Sequence, residues 1–71
     1  MYIIVAEFKI KPEHVATFAR LVEQQAKDSV TLEADCHQFD VCQGERDSQA
    51  FLLYEVYTDK PAFEHHRGLP H

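Results

Sequence analysis

Tryptophan is absent from these 71 residues, and glycine (2), cysteine (2) and proline (3) are scarce. Gly44 and Gly68 cannot by themselves build a glycine-rich phosphate loop or a nucleophile elbow, each of which needs glycines at set spacing. Cys36 and Cys42 are too few for a disulfide framework, and neither has the basic neighbours that make a reactive thiolate. No His-Glu-x-x-His and no Cys-x-x-Cys occurs among the five histidines and two cysteines, so no metal site is expected. Positive charge is also short: 7 Lys and Arg face 12 Asp and Glu, a formal net charge of −5. That balance argues against a nucleic-acid partner or an anionic membrane surface, both of which want a clustered basic patch. Apolar runs such as Tyr2 to Ala6 are far short of a membrane span, and no basic stretch precedes that run as in a secretory signal. A hydrophobic content of 45% excludes a disordered chain. The class is a single small, acidic domain over residues 1–71, expected in the cytoplasm.

What is present is periodic. Tyr2 to Ile10 alternates: Tyr2, Ile4, Ala6, Phe8 and Ile10 share one face and Ile3, Val5, Glu7 and Lys9 the other, which predicts a strand. Lys11-Pro12 punctuates, and Pro12 suits a helix start because its missing N–H would be unpaired there anyway. From Glu13 to Glu33 the period becomes helical. With Val15 as origin, Phe18, Ala19, Val22, Ala26, Ser29 and Val30 fall within about 60° of it, opposite Glu13, Thr17, Arg20, Gln24 and Lys27. Glu33-Ala34-Asp35-Cys36 reads as a connection. His37 to Gln43 alternates again, with His37, Phe39 and Val41 on one face and Asp40 and Cys42 on the other. After the polar loop from Gly44 to Gln49, the run Ala50 to Tyr57 closes an antiparallel hairpin. Thr58-Asp59-Lys60-Pro61 opens a second helix carrying Phe63, His65 and His66, which Gly68 and Pro70 end.

The order is β-α-β-β-α. A split βαβ sandwich of ferredoxin-like type needs one more strand, so the chain is expected to be C-terminally incomplete. In the last strand Phe51 and Leu53 share one face while Leu52, Tyr54 and Val56 share the other. Two helices cover one face only, so the second apolar face predicts a partner, most economically a second copy about a two-fold axis.

Glu55 and Tyr57 point to the same face as Phe51 and Leu53. A carboxylate among apolar neighbours is suited to general acid–base work, and a tyrosine beside it could donate to a developing oxyanion; a strand-end Glu can equally pair with a base, and Tyr is a common interface residue. On the second helix His66 lies about 60° from the inward Phe63, whereas His65 lies about 160° away, so His66 faces in and His65 out. An inward neutral imidazole could shuttle a proton near Glu55 or tie the helix end to the sheet. His37 and His71 are weaker candidates.

His37-Gln38-Phe39-Asp40-Val41, Leu53-Tyr54-Glu55-Val56-Tyr57, Asp59, Ala62-Phe63, His66 and Pro70-His71 stand in an order and at distances that resemble the antibiotic biosynthesis monooxygenase domain family. The resemblance implies a ferredoxin-like subunit pairing into a dimeric α+β barrel, with a further helix and strand beyond Pro70-His71. It implies Glu55, Tyr57 and His66 as pocket residues, His71 at the pocket's mouth and Asp40 on the second strand; Glu55, Tyr57 and His66 are taken as the catalytic candidates, and His37, Asp40, Phe63 and His71 as the substrate-binding ones. Two positions depart from the family pattern: Ala26 stands where many members carry Asn, and Glu33-Ala34-Asp35-Cys36 replaces the usual Glu-Pro-Gly-Cys turn.

The family's activities include oxidation of phenolic or quinol rings by O₂ without flavin, metal or haem, degradation of haem, and isomerisation of a phosphorylated signalling molecule. The haem-degrading branch uses a Trp that has no counterpart here. The expected function is therefore cofactor-independent monooxygenation of a small phenol or quinol by a homodimer. The alternatives are a proton-shuttling isomerase of a small carbonyl compound and a dimeric small-molecule-binding module without chemistry.

Overall fold

The computed structural model describes residues 1–69. Its elements are β1 (Tyr2–Lys9), α1 (Val15–Leu32), β2 (Cys36–Gln43), β3 (Ala50–Tyr57) and α2 (Lys60–Arg67), with a 3₁₀ turn at Pro12–His14 leading into α1. The strands form one antiparallel sheet in the order β1-β3-β2, so β3 is central. Together with the two helices this is an α+β, ferredoxin-like fold, as the order of elements predicts. No helix of the described residues is long and apolar enough to cross a membrane.

The central strand is the most regular element. Phe51, Leu53, Glu55 and Tyr57 are buried while Ala50, Leu52, Tyr54 and Val56 are half-buried, the alternation that a two-residue period imposes. On the helical side Leu53 and Tyr57 join Val22, Ala26, Cys36 and Phe39 in the core, and Ile4, Phe18 and Phe63 pack against them. Val22, Ala26 and Ser29 form the buried stripe of α1; Val30, expected near that stripe, is instead an exposed side chain.

β2 departs from simple alternation. Its register with β3 slips between Cys36 and Gln38, so His37 sits at a bulge. The extra residue switches the parity of the strand: Cys36 and Phe39 are buried, whereas His37 is exposed. The expected common face of His37, Phe39 and Val41 is therefore corrected. Cys36 takes the inward position and His37 turns to the surface. There Thr58 donates its hydroxyl proton to Asp35 Oδ1 at 2.9 Å, and His37 Nε2 donates to Thr58 Oγ1 at 2.7 Å. Thr58 N–H also bonds the Asp35 carbonyl at 2.9 Å. This cluster pins the start of β2 to the end of β3, just before α2 begins. α2 is then capped by Asp59, whose carboxylate accepts from the Ala62 N–H at 3.0 Å.

The β2–β3 loop is folded tightly over Gly44. Its N–H bonds the Ala50 carbonyl at 2.9 Å, and the Ala50 N–H bonds the Asp47 carbonyl at 3.0 Å. A Cβ on Gly44 would lie 2.5 Å from the Asp47 carbonyl oxygen. That oxygen is backbone and already bonded, so it cannot yield cheaply. Gly44→Ala is expected to destabilise the domain by about 1–3 kcal/mol, the usual cost of forced overpacking. Denaturant unfolding measures it; a midpoint equal to wild type would show that the loop relaxes without loss.

Candidate active site

A cavity of ≈ 360 Å³ lies between the helical face of the sheet and the two helices. Phe18, Phe39, Leu53 and Phe63 supply apolar wall, and the polar lining comes from Gln25, Glu55, His66 and Arg67. Aromatic walls with a few convergent polar groups are the usual make-up of a small-molecule site. Arg67 lies in the last turn of α2, its guanidinium 5.8 Å from the centre of the Phe63 ring, within cation–π range.

Each polar group arrives for a local reason. Glu55 is inward because β3 alternates, and Ile4 and Phe39 are its partners on the neighbouring strands. His66 is inward because it follows Phe63 by about one helical turn; it is buried while His65 is exposed, as the helix phase predicts. Rings surround the imidazole: Tyr57 at 5.4 Å, Phe39 at 6.0 Å and Phe63, nearly parallel at 21°, at 6.4 Å.

Tyr57 is fully buried and does not line the cavity. Its hydroxyl donates to Glu55 Oε1 at 2.6 Å. The expected role of Tyr57 as donor to a substrate oxyanion is thereby corrected, because its single hydroxyl proton is already committed to Glu55. Burial, and then the hydrogen bond and charge of Glu55, raise the Tyr57 pKa far above the ordinary phenol value. The phenol therefore stays protonated and keeps Glu55 in place as an acceptor on the cavity wall. Burial also raises the Cys36 thiol, with the Glu33 charge next in weight, so Cys36 remains a packed thiol.

Glu33 was not among the residues singled out from sequence. It is buried, and its Oε2 lies 2.9 Å from His66 Nδ1, both side chains being only 7% exposed. The signal was available: Glu33 follows Val15 by 18 residues, about five full helical turns. It therefore continues the stripe of Val22, Ala26 and Ser29 one step past the last helical residue.

Of the other sequence candidates, Phe63 lines the cavity and Asp40 does not. Asp40 is exposed, accepts from Gln38 Nε2 at 2.5 Å, and pairs in register with Tyr54 on the outer face of the sheet. His37 is likewise outside the cavity, held at the bulge by Thr58. His71 lies outside the described residues. Among the described residues no group of three His, Cys, Asp or Glu side chains is placed to hold a metal ion.

The profile of the family described as "Antibiotic biosynthesis monooxygenase" matches residues 1–71. Solved structures give the same architecture. A candidate antibiotic biosynthesis monooxygenase from Nitrosomonas europaea is 23% identical and superimposes with a TM-score of 0.91, over 99% of this chain and 73% of that one. A protein from Pseudomonas aeruginosa is 28% identical, with a TM-score of 0.87 over 96% of this chain and 68% of its own. A third, from Bacteroides thetaiotaomicron, is 18% identical with a TM-score of 0.91, and the chain spans 65% of its length.

The raised Tyr57 pKa has a consequence for stability. The unfolded chain releases this proton near the ordinary value of 10.0, whereas the folded chain holds it. The contribution is thus complete below pH 10 and is lost as pH rises toward the folded value, by about 1.4 kcal/mol per pH unit at most. Between pH 10 and 12 the denaturant midpoint should fall more steeply for wild type than for Tyr57→Phe. Equal slopes would place the phenol in contact with water.

Proposed function

Because the chain belongs to the antibiotic biosynthesis monooxygenase family, we propose that it oxidises a small phenolic or quinol ring with O₂, without an added cofactor, as a homodimer. One observation carries this reading: an aromatic-walled cavity that presents a buried imidazole and a buried carboxylate together, His66 and Glu55. A phenol bound there has flat apolar contact for its ring and a base for its hydroxyl proton.

The base takes the phenolic proton, and the electron-rich anion passes one electron to O₂. The two radicals join as a carbon–oxygen bond at a ring carbon that still bears hydrogen, and the base returns its proton to the distal oxygen. Removal of the ring C–H proton then breaks the O–O bond. One oxygen stays as a ring carbonyl and the other leaves as hydroxide, which takes that proton and becomes water. Both hydrogens of the water and all four electrons come from the substrate, so no external reductant is needed. Apolar walls favour this sequence by keeping water from the intermediates. His66 serves as the base, Glu55 orients the substrate hydroxyl, and Tyr57 holds Glu55.

The second copy is supported by the outer face of the sheet. Ile3 and Val5 are 51% and 56% exposed, and Leu52, Tyr54 and Val56 beside them are only half-buried. Pairing two such faces removes contiguous apolar surface from water at about 25 cal/mol per Å². Sedimentation at micromolar concentration should report a dimer, and Val5→Lys should shift it to monomer. A stable wild-type monomer overturns this part.

The reaction is tested by O₂ uptake with a panel of dihydroxynaphthalenes. His66→Ala and Glu55→Gln should each lower kcat by about 10²-fold or more, the worth of a positioned acid or base. Tyr57→Phe should cost less, since one hydrogen bond is lost while the ring still packs. His65→Ala should match wild type, and EDTA should leave the rate unchanged. Absence of O₂ uptake, with solvent-proton exchange beside a carbonyl instead, would replace the oxygenase reading by an isomerase.

A further inference from the structure

Glu33 is an expensive residue where it stands. It is the C-cap of α1, next to the end of the helix where the partial charge is already negative. It is also buried, and a carboxylate taken out of water costs several kcal/mol unless it is well partnered. Neither feature helps the helix. Its backbone is nonetheless fixed from both sides: the Glu33 N–H bonds the Ser29 carbonyl at 3.1 Å, and its own carbonyl accepts from the Cys36 N–H at 3.1 Å. The chain thus delivers a carboxylate to one place, and at that place Oε2 meets His66 Nδ1 at 2.9 Å.

We propose that Glu33 is the positioning residue of the site: it holds the His66 proton on Nδ1, which makes Nε2 the nitrogen that accepts the substrate's proton. This rests on the reading of His66 as the base. An ionised carboxylate can only accept, so the imidazole nitrogen facing it must carry hydrogen. The lone pair of the neutral ring is then on Nε2. As the ring takes a proton and becomes cationic, the carboxylate already stands beside the new charge, and no group has to move to stabilise it. The relation matches that of the acid to the histidine in a catalytic triad, recognised by geometry and role and not by sequence order. The rings of Phe39, Tyr57 and Phe63 restrict how the imidazole can turn. Glu55 is bonded by Tyr57, Cys36 stays a thiol, and Arg67 lies over Phe63.

Two measurements on the full chain test this. The first is the ¹⁵N spectrum of wild-type His66 at a pH where the ring is neutral. It should show the Nδ1–H tautomer; the Nε2–H tautomer overturns the proposal. No activity is needed for this readout, so it decides the matter even if the protein turns over no quinol and the oxygenase reading fails. The second is a double-mutant cycle on O₂ uptake with a dihydroxynaphthalene. Glu33→Gln keeps the size and hydrogen-bonding capacity of the side chain, so the variant should fold. It should lower kcat about 10-fold or more, part of the ~10²–10⁴ that a positioned base supplies, with KM within about twofold of wild type, because Glu33 acts through His66 and not on the bound ring. In a His66→Ala background the same change should cost nothing further. A loss of equal size in both backgrounds would mean that Glu33 acts on the fold and not through the imidazole.

Discussion

The contact between Glu33 and His66 joins the end of one helix to the last turn of the other, and much of the molecule is arranged so that it can form. α2 is only eight residues long, too short to be stable alone. Its attachment comes from the Asp59 cap, from Phe63 against Tyr2 and Tyr57 with ring centres 5.8 and 5.3 Å apart, and from the buried pair. Losing one member of a buried hydrogen-bonded pair leaves the other's polar group desolvated without a partner, at a cost of about 1–3 kcal/mol and more where that group is charged. The position of α2, and with it one wall of the cavity, therefore depends on a side chain presented by the turn after α1. Helix packing and the candidate chemistry meet in one hydrogen bond.

A second polar couple runs along the central strand. Glu55 and Tyr57 share a face because they are two apart, and their side chains bond each other across that spacing. Burying a tyrosine ring is worth about 1.5–3 kcal/mol, while a buried hydroxyl without a partner gives back about 1–3. Glu55 satisfies the hydroxyl, and the hydroxyl in turn fixes the carboxylate at the cavity wall. The two couples divide the labour: Tyr57 makes Glu55 an acceptor of fixed direction, and Glu33 orients His66. Neither supporting group has to touch the bound molecule.

Most of the architecture could be read from periods in the sequence. β3 keeps strict alternation over its whole length, so its inward set of Phe51, Leu53, Glu55 and Tyr57 needed no tertiary information. His66 was separable from His65 by helix phase alone. Two features were not legible, for different physical reasons. The bulge at His37 inserts a residue without a composition signal, and one inserted residue inverts the facing of all that precedes it. That turned His37 to the surface and brought Cys36 into the core. Glu33 was masked by its chemistry: a charged residue at a helix end reads as the start of a solvated turn, although its phase continues the buried stripe. Phase was the better guide there, because the Glu33 N–H still bonds the Ser29 carbonyl four residues back, so the helical phase carries through to Glu33.

A core this thin makes its polar members informative. Among the described residues seven hydrophobic side chains are buried, Tyr57 one of them, against four polar ones: Ser29, Glu33, Glu55 and His66. No buried side-chain nitrogen or oxygen among the described residues lacks a hydrogen-bond partner, so the arrangement is self-consistent. It is still not what stability alone would select. Replacing both members of a buried polar pair by apolar side chains of the same shape is often neutral or stabilising. For a chain this short, whose total stability is of the order of 5 kcal/mol, any such gain would matter. Ser29 fits a purely local account, since its hydroxyl bonds the Gln25 carbonyl one turn back at 2.8 Å. Glu55 and His66 do not, because both line the cavity, and Glu33 meets His66 in the core. The polar half of the core is organised around the cavity, and the aromatic half encloses it.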